Sequence, residues 1–382
     1  MANLSVIFGG PSLEHDVSIL TGLQTARVLA GTGEEPIALY WSESNEWFCV
    51  PVELEAHAFL EGVPRGARPV SLQLEGRERG FYEMRSLGRR SRLDITAAVV
   101  CCHGGPGEDG RLQGLLDLIG IPYTGPGAAC AALTMDKLSF GGLVQCAGLP
   151  ALPRISWTPS SPEPSFPGPY ILKPRFGGSS LGVEPVSDVE TARSLLETSA
   201  YMRRGAVLEQ YRPDVEDLYI AIRTYPELQL SLLERPRPRT AHSAASAPTS
   251  IYGYQQKYLD QRGAESAASE IPAQLPEEIA KFARVIAEEI AHLTRLRGAV
   301  RLDFLYNRSE LWVNEVNSIP GAMSFRLWNE SGVSREQLLT DMIAEAMATH
   351  GTPRDVDPPD RGAAERKMQT LQSASQIAQK LV

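Results

Sequence analysis

The stretch ILKPRFGGSSLGVEP, residues 171–185, joins an apolar strand to a loop of two glycines and two serines, with one lysine, Lys173, near the junction. Glycine lets backbone N–H groups close on an anion without a Cβ in the way, and serine hydroxyls add donors. A cation beside such a loop suits a phosphate. The order G-x-x-x-x-G-K-[ST] is absent and the lysine precedes the loop, so this is not a P-loop. A surface hairpin with a solvated lysine is the plain alternative, because Gly/Ser turns are common.

A second stretch, AVRLDFLYNRSELWVNEVN, residues 299–317, shifts the balance. It reads as a β-hairpin centred near Ser309. Residues two apart on a strand share a face, so Glu315 and Asn317 point one way, as do Arg301 and Asp303. Val300, Leu302 and Phe304, with Trp312 and Val316, are expected on the opposite face. The hairpin sets Asp303 across from Glu315 and Arg301 across from Asn317. Two carboxylates, an amide oxygen and an arginine then converge, and hard oxygen donors of this kind suit Mg²⁺ held partly by phosphates. The alternative is an outer face with cross-strand ion pairs.

Around these stretches, strands and helices alternate. NLSVIFGG is a buried strand ending in a glycine turn, HDVSILTGLQTARVLAGTG a helix, EPIALYWS a strand, LDITAAVVCCHGG a buried strand and GRLQGLLDLIG a helix. This order implies a parallel sheet with binding loops at the carboxyl ends of its strands. Residues 43–92 look irregular. AALTMDKLSFGGLVQCAGLP reads as one helix and residues 152–169 as a proline-rich loop. The predicted division is an N-terminal α/β domain (1–128), a central α+β subdomain (129–212), a C-terminal domain (213–350) and a polar tail (351–382). Within it, RPRPRTAHSAASAPTS has too little apolar content to pack.

The chain has 382 residues, 43% of them hydrophobic, and a net charge of −9. That supports a large core and argues against disorder. There is no run of Lys and Arg to track a nucleic-acid backbone and no apolar run long enough for a bilayer. The opening residues do not resemble a signal peptide. The five cysteines, at 49, 101, 102, 130 and 146, show no zinc spacing and fit a reduced, cytoplasmic protein.

Taken together, VIFGGPSLEHDVSI, HGGPGEDGRLQGLLDLIGIPYTGPG, LTMDKL, YILKPRFGGSSLGV, VLEQY, YGYQQKYLD and VRLDFLYNRSELWVNEVNSIPG resemble, in order, the D-alanine:D-alanine ligase family of the ATP-grasp superfamily. The resemblance implies a three-domain ATP-grasp architecture of α/β and α+β class, with an N-terminal parallel-sheet (preATP-grasp) domain. It implies ATP as phosphoryl donor and Mg²⁺, two ions, with Mn²⁺ as the alternative metal. Lys137 and Lys173 would hold ATP phosphates under a loop with Gly177, Gly178 and Ser180, with Ser179 near the substrate. Glu209 would sit at the adenine and Glu216 at the ribose, and Asp303, Glu315 and Asn317 would bind the metals. Arg301 and the Gly321 N–H would stabilise the tetrahedral intermediate, and Glu14 and His103 would handle the first amino acid. Lys257 and Tyr258 would close over the site. The partners implied are small amino acids and a second copy of the chain, as a homodimer, with neither nucleic acid nor membrane.

The family pattern breaks after NSIPG. The text AMSFRLWNESG puts Phe325 and Arg326 where the family has His and a Ser that holds the carboxylate of the incoming amino acid. Ser324 and Arg326 are therefore candidate substrate residues. Arg326 can bind a carboxylate bidentately, block the D-alanine site, or match a second anionic group; pairing with Glu330 in solvent is the plain alternative. The departure leaves room for a specialised biosynthetic ligase, of which relatives in mycosporine biosynthesis are one precedent. An ATP-grasp kinase that stops after phosphoryl transfer, and a non-catalytic nucleotide-binding module, are the other readings.

Overall fold

The computed structural model describes residues 3–76, 78–85, 88–236 and 269–350. Met1–Met347 form one compact unit, and a second, Ala348–Val382, lies almost wholly outside the described residues. Lys257 and Tyr258 also fall outside them.

Three sheets carry the described chain. The first contains β1 (Leu4–Gly9), β2 (Ile37–Trp41), β3 (Trp47–Val50), β4 (Arg68–Gln73), β5 (Gly80–Met84), β6 (Arg90–Arg92) and β7 (Ala97–Val100), in the order β6-β5-β4-β3-β2-β1-β7. β1 runs parallel to β2 and β7. Every residue of β1 and β7 is buried, as expected for strands covered on both faces. Helix α1 (His15–Gly31) packs on β1 so closely that a Cβ on Gly22 would lie 2.3 Å from the Phe8 side chain.

The region read as irregular is in fact an antiparallel arm, β3 to β6. Its strands are short and carry charges such as Arg68, Glu83 and Arg92, which blunts the alternation a strand usually shows. The stacked rings of Trp41 and Trp47, 4.8 Å apart, tie the arm to the parallel strands. Helices α2 (Gly105–Glu108) and α3 (Arg111–Ile119) follow β7.

The segment read as one helix is two, α4 (Ala128–Met135) and α5 (Lys137–Cys146), broken at Asp136. Asp136 leaves helical geometry (ψ 99°), and its carboxylate accepts from the Leu138 N–H, capping α5. The break puts Lys137 at a helix start.

The second sheet has β8 (Arg154–Trp157), β9 (Tyr170–Pro174), β10 (Glu184–Val186) and β11 (Ala206–Gln210), ordered β10-β9-β11-β8, with α6 (Val189–Thr198) against it. β8 lies within the stretch read as loop. Its partner β11 supplies the ladder that the surrounding prolines cannot.

The third sheet has β12 (Glu216–Arg223), β13 (Gln229–Pro236), β14 (Ser269–Glu270), β15 (Ala299–Tyr306) and β16 (Leu311–Asn317), ordered β14-β13-β12-β15-β16. Helix α7 (Glu277–Thr294) lays Ala283, Ile286, Ala287 and Ile290 on Leu218, Ile220, Val300, Leu302 and Phe304. The β15–β16 hairpin has the expected register, Arg301 opposite Asn317 and Asp303 opposite Glu315. Further along it shifts, pairing Phe304 with Val313 and leaving Asn314 as an extra residue. Val313 rather than Trp312 therefore reaches the core, and Trp312 lies half-buried under the Arg212 guanidinium. Two last helices, α8 (Phe325–Glu330) and α9 (Arg335–Thr349), complete the unit. Ile319, Met323 and Phe325 pack into the core of the first sheet, so the end of the hairpin is built into the N-terminal layer.

Candidate active site

The face of the third sheet opposite α7 carries a polar row. Register places Glu234 beside Tyr219, Tyr219 beside Asp303 and Asp303 beside Glu315 across β13, β12, β15 and β16. In the next row Arg301 lies beside Asn317. Arg301 donates to both Asp303 oxygens, at 2.7 and 2.8 Å, and stacks over the Tyr219 ring at 4.3 Å. Asn317 donates to Asp303 at 3.0 Å, and Lys137 Nζ lies 3.2 Å from Glu315 Oε2.

Among the described residues, no three His, Cys, Asp or Glu side chains gather as a metal site. The donor set is instead two carboxylates and an amide on one hairpin face. Hard oxygens in a cavity with room for phosphates fit Mg²⁺, which shares its coordination with substrate and water. Arg301 and Lys137 lie directly beside these two carboxylates.

Between the second and third sheets lies a cavity of about 550 Å³, within the range of nucleotide-sized ligand sites. Lys137, Lys173, Gly177, Gly178, Ser180, Glu209, Glu216, Asp303 and Glu315 all line it. Lys173 Nζ donates to Glu209 at 2.6 Å and approaches Asn314 Oδ1 at 3.4 Å. Lys137 Nζ donates to the Gly177 carbonyl at 2.5 Å.

Glu209 is buried, which works against its charge, but Lys173 and then Arg154 outweigh that and hold its carboxyl below the usual range. Both its oxygens face cations, since Arg154 Nη2 lies 2.9 Å from Oε2. Glu216, at the other end of the cavity, pairs with Arg235 at 3.0 Å.

The glycine loop folds down on the N-terminal layer. Ser179 and Ser180 both have left-handed backbones, with φ of 53° and 58°. The Ser179 hydroxyl donates to Glu14. Glu14 occupies a cradle that glycines open: a Cβ on Gly104 would sit 2.4 Å from its Oε2, and one on Gly178 would sit 3.2 Å from its carboxylate. The guanidinium groups of Arg175 and Arg204 both lie over the ring of Phe176, just before the loop. Arg175 is in turn fixed to Asp136 by two hydrogen bonds of 2.7 and 2.6 Å.

Below the cavity a smaller recess is lined by Glu14, His103, Glu108, Lys137, Arg301 and Gly321. His103 Nε2 lies 2.8 Å from the Thr21 hydroxyl. Burial pushes its pKa down to about 4. Burial, and then the nearby Glu14 carboxylate, push Glu108 up to about 7. Its oxygens accept from the Gly104 N–H (2.8 Å), the Ser318 hydroxyl (3.0 Å) and the Ile319 N–H (3.1 Å).

Ser324 ends a left-handed turn at the start of α8. Arg326 points back across β13, approaching Glu234 at 3.4 Å and bonding Ser269, so its ion-pair partner is Glu234 rather than Glu330. Sequence reasoning missed Arg154, Arg175 and Thr21. Only the D-K pair at 136–137 gave a local signal, a cap before a helix.

Comparison with known proteins agrees over most of the chain. The family model described as D-ala D-ala ligase N-terminus matches residues 3–126, and that described as D-ala D-ala ligase C-terminus matches residues 161–344. A D-alanine–D-alanine ligase of Pelodictyon phaeoclathratiforme is 30% identical, covering 91% of this chain and 98% of that protein. The solved D-alanyl-alanine synthetase A of Vibrio cholerae O1 biovar eltor superposes with a TM-score of 0.72 at 21% identity, over 91% of this chain and 98% of that one. The VanG D-Ala:D-Ser ligase of Enterococcus faecalis gives a TM-score of 0.71 at 23% identity, over 90% and 99% of the two chains. With this fold, this cavity and these matches, the chain belongs to the D-alanine–D-alanine ligase family, ATP-grasp enzymes that form a carbon–nitrogen bond with the help of ATP.

Proposed function

We propose that the chain joins the carboxylate of one amino acid to the amine of a second through an acyl phosphate, with D-alanine as the first substrate to test. A carboxylate oxygen attacks the γ-phosphorus of ATP, and the bond to the departing ADP breaks. The amine then attacks the acyl carbon, phosphate leaves with the C–O bond pair, and the amine loses a proton. Lys137 and Lys173 hold the phosphates, and the loop from Gly177 to Gly182, closed by Ser179 on Glu14, keeps water from the acyl phosphate. Glu14 grips the first ammonium group. Arg301 and the Gly321 N–H stabilise the oxyanion, each donor worth ~3 kcal/mol in comparable sites. Bound to Asp303, Glu315 and Asn317, two Mg²⁺ ions would supply charge neutralisation at the transferring phosphoryl group. The reading also takes the protein as a cytoplasmic homodimer.

The observation that carries this is the convergence of Arg301, Glu315, Lys137 and Glu14 on one recess beneath the cavity that Asp303 lines. Arg326 favours a second reading of the acceptor. Its partner Glu234 lies in the same row as Tyr219 and Asp303, so a cation is fixed on the sheet face that carries Asp303, and it suits an acceptor with an additional anionic group. Incubation with ATP, Mg²⁺ and a panel of amino acids, with products weighed by mass spectrometry, tests both. D-alanyl-D-alanine supports the default, and a mixed product supports the second. Absence of an amide product with every pair sinks the proposal.

A further inference from the structure

The turn that follows Gly321 is costly. Ala322, Met323 and Ser324 have φ of 47°, 49° and 52°, three successive non-glycine residues in the left-handed region. The left-handed region crowds any residue that has a Cβ, and such runs persist where their surroundings over-determine them. Part of the restraint is apolar, from Met323 and Phe325, both buried in the core of the first sheet.

The polar part comes from α1 and the loop after β7. The Thr21 hydroxyl accepts from the Ala322 N–H at 3.1 Å and lies 2.8 Å from His103 Nε2. The backbone of His103 is itself fixed by the Ser18 hydroxyl at 2.7 Å. A neutral imidazole has one N–H. Carried on Nδ1, it leaves Nε2 to accept from the Thr21 O–H, which turns the Thr21 lone pairs toward Ala322. Glu108 holds the other end of the segment through Ser318 and Ile319.

We propose that Thr21 is a positioning residue of this enzyme: its hydroxyl, oriented by His103, clamps Ala322 and so fixes the direction of the adjoining Gly321 N–H. The consequence for catalysis rests on the reading in which that N–H faces the reacting carbonyl. Thr21→Val keeps the shape and removes the hydroxyl, leaving the Ala322 N–H without its partner, whereas Thr21→Ser keeps the hydroxyl and loses only a methyl.

Two measurements test the clamp. Thr21→Val is expected to lower kcat by about 30-fold with KM for ATP within about twofold, the pattern of a lost transition-state contact. It is also expected to speed backbone amide exchange across residues 319–324. Thr21→Ser is expected within about twofold of wild type in both. If Thr21→Val fails to fold, His103→Asn, which leaves the hydroxyl without its orienting partner, should show the same two changes in weaker form. Wild-type kcat in Thr21→Val, with or without faster exchange, overturns the proposal, and so does equal loss in Thr21→Ser, which would assign the effect to methyl packing. If wild-type protein makes no amide product, the ligase reading falls, while the exchange comparison still decides the clamp.

Discussion

Arg154 on β8 and Glu209 on β11 are register partners whose charges meet at 2.9 Å, with 4% and 1% of their side chains exposed. Lys173 reaches the other Glu209 oxygen at 2.6 Å. One buried carboxylate thus holds two cations, and the lysine expected to meet ATP is aimed by that carboxylate. The crossing of Arg154 is made possible by Gly141 on α5, where a Cβ would lie 2.5 Å from its Cδ.

Removing Arg154 should therefore disturb Lys173. In Arg154→Met, Glu209 keeps a single cation, which binds it more exclusively. We expect a loss of about 2 kcal/mol in stability, below the full cost of breaking a buried pair because Lys173 remains. KM for ATP should rise by roughly tenfold. Denaturant melts and ATP titrations of Arg154→Met, Glu209→Gln and the double variant check this. The double variant should recover part of the stability, and strict additivity would show the pair to be uncoupled.

Glu315 faces the cavity beside Lys137 and is a proposed metal donor. Glu315→Gln should lower kcat by at least ~10³-fold, with added Mg²⁺ giving little rescue. Phosphate release measured against Mg²⁺ concentration decides it. Near-normal turnover at saturating Mg²⁺ would remove the hairpin from the metal site.

Arg326 is half-buried, bridging toward Glu234. Arg326→Ser should alter which amines are accepted, by a factor of about 10 or more between anionic and neutral acceptors, the range of a lost charge-assisted contact. Competition between acceptors, read by product mass, tests it. An unchanged profile would make the residue a strut for β13.

The recess also predicts an acid limb of stability. His103 has its folded pKa depressed from 6.5 to about 4, so the stability it contributes is present above 6.5 and lost as pH falls toward 4, up to roughly 3 kcal/mol. Arg301 adds to this effect, and Glu14 and Glu108 share the recess. Glu108 has the opposite sign: its folded pKa is raised to about 7, so its contribution is complete below 4.5 and lost as pH rises through 7. Denaturation midpoints between pH 4 and 8 should flatten on the acid side in His103→Gln and on the neutral side in Glu108→Gln. An unaltered acid limb in His103→Gln would place the titrating group elsewhere.

The hairpin was legible because strand periodicity is local. Arg301, Asp303, Glu315 and Asn317 needed only alternation and a turn to be placed together, and the structure has them in that register. Trp312 was misplaced because an extra residue in a ladder leaves no mark in composition. The arm from β3 to β6 was unreadable because its strands are short and charged. Thr21 and Arg154 gave no signal at all, since their partners are set by tertiary packing. Thr21 meets Ala322 across 301 residues, and Arg154 meets Glu209 across a ladder whose first strand lay hidden among prolines.

Asn314 has one more effect. Leu311 and Val313 turn inward while Glu315 and Asn317 turn outward, although all four carry odd numbers. A strictly alternating ribbon would force both pairs to one side, either drowning the acids in hydrocarbon or wetting the aliphatics. A single out-of-step residue reverses the parity midway, and its own amide is thereby left near Lys173. The count of residues along β16, as much as their identity, decides which side of the ribbon bears the charge.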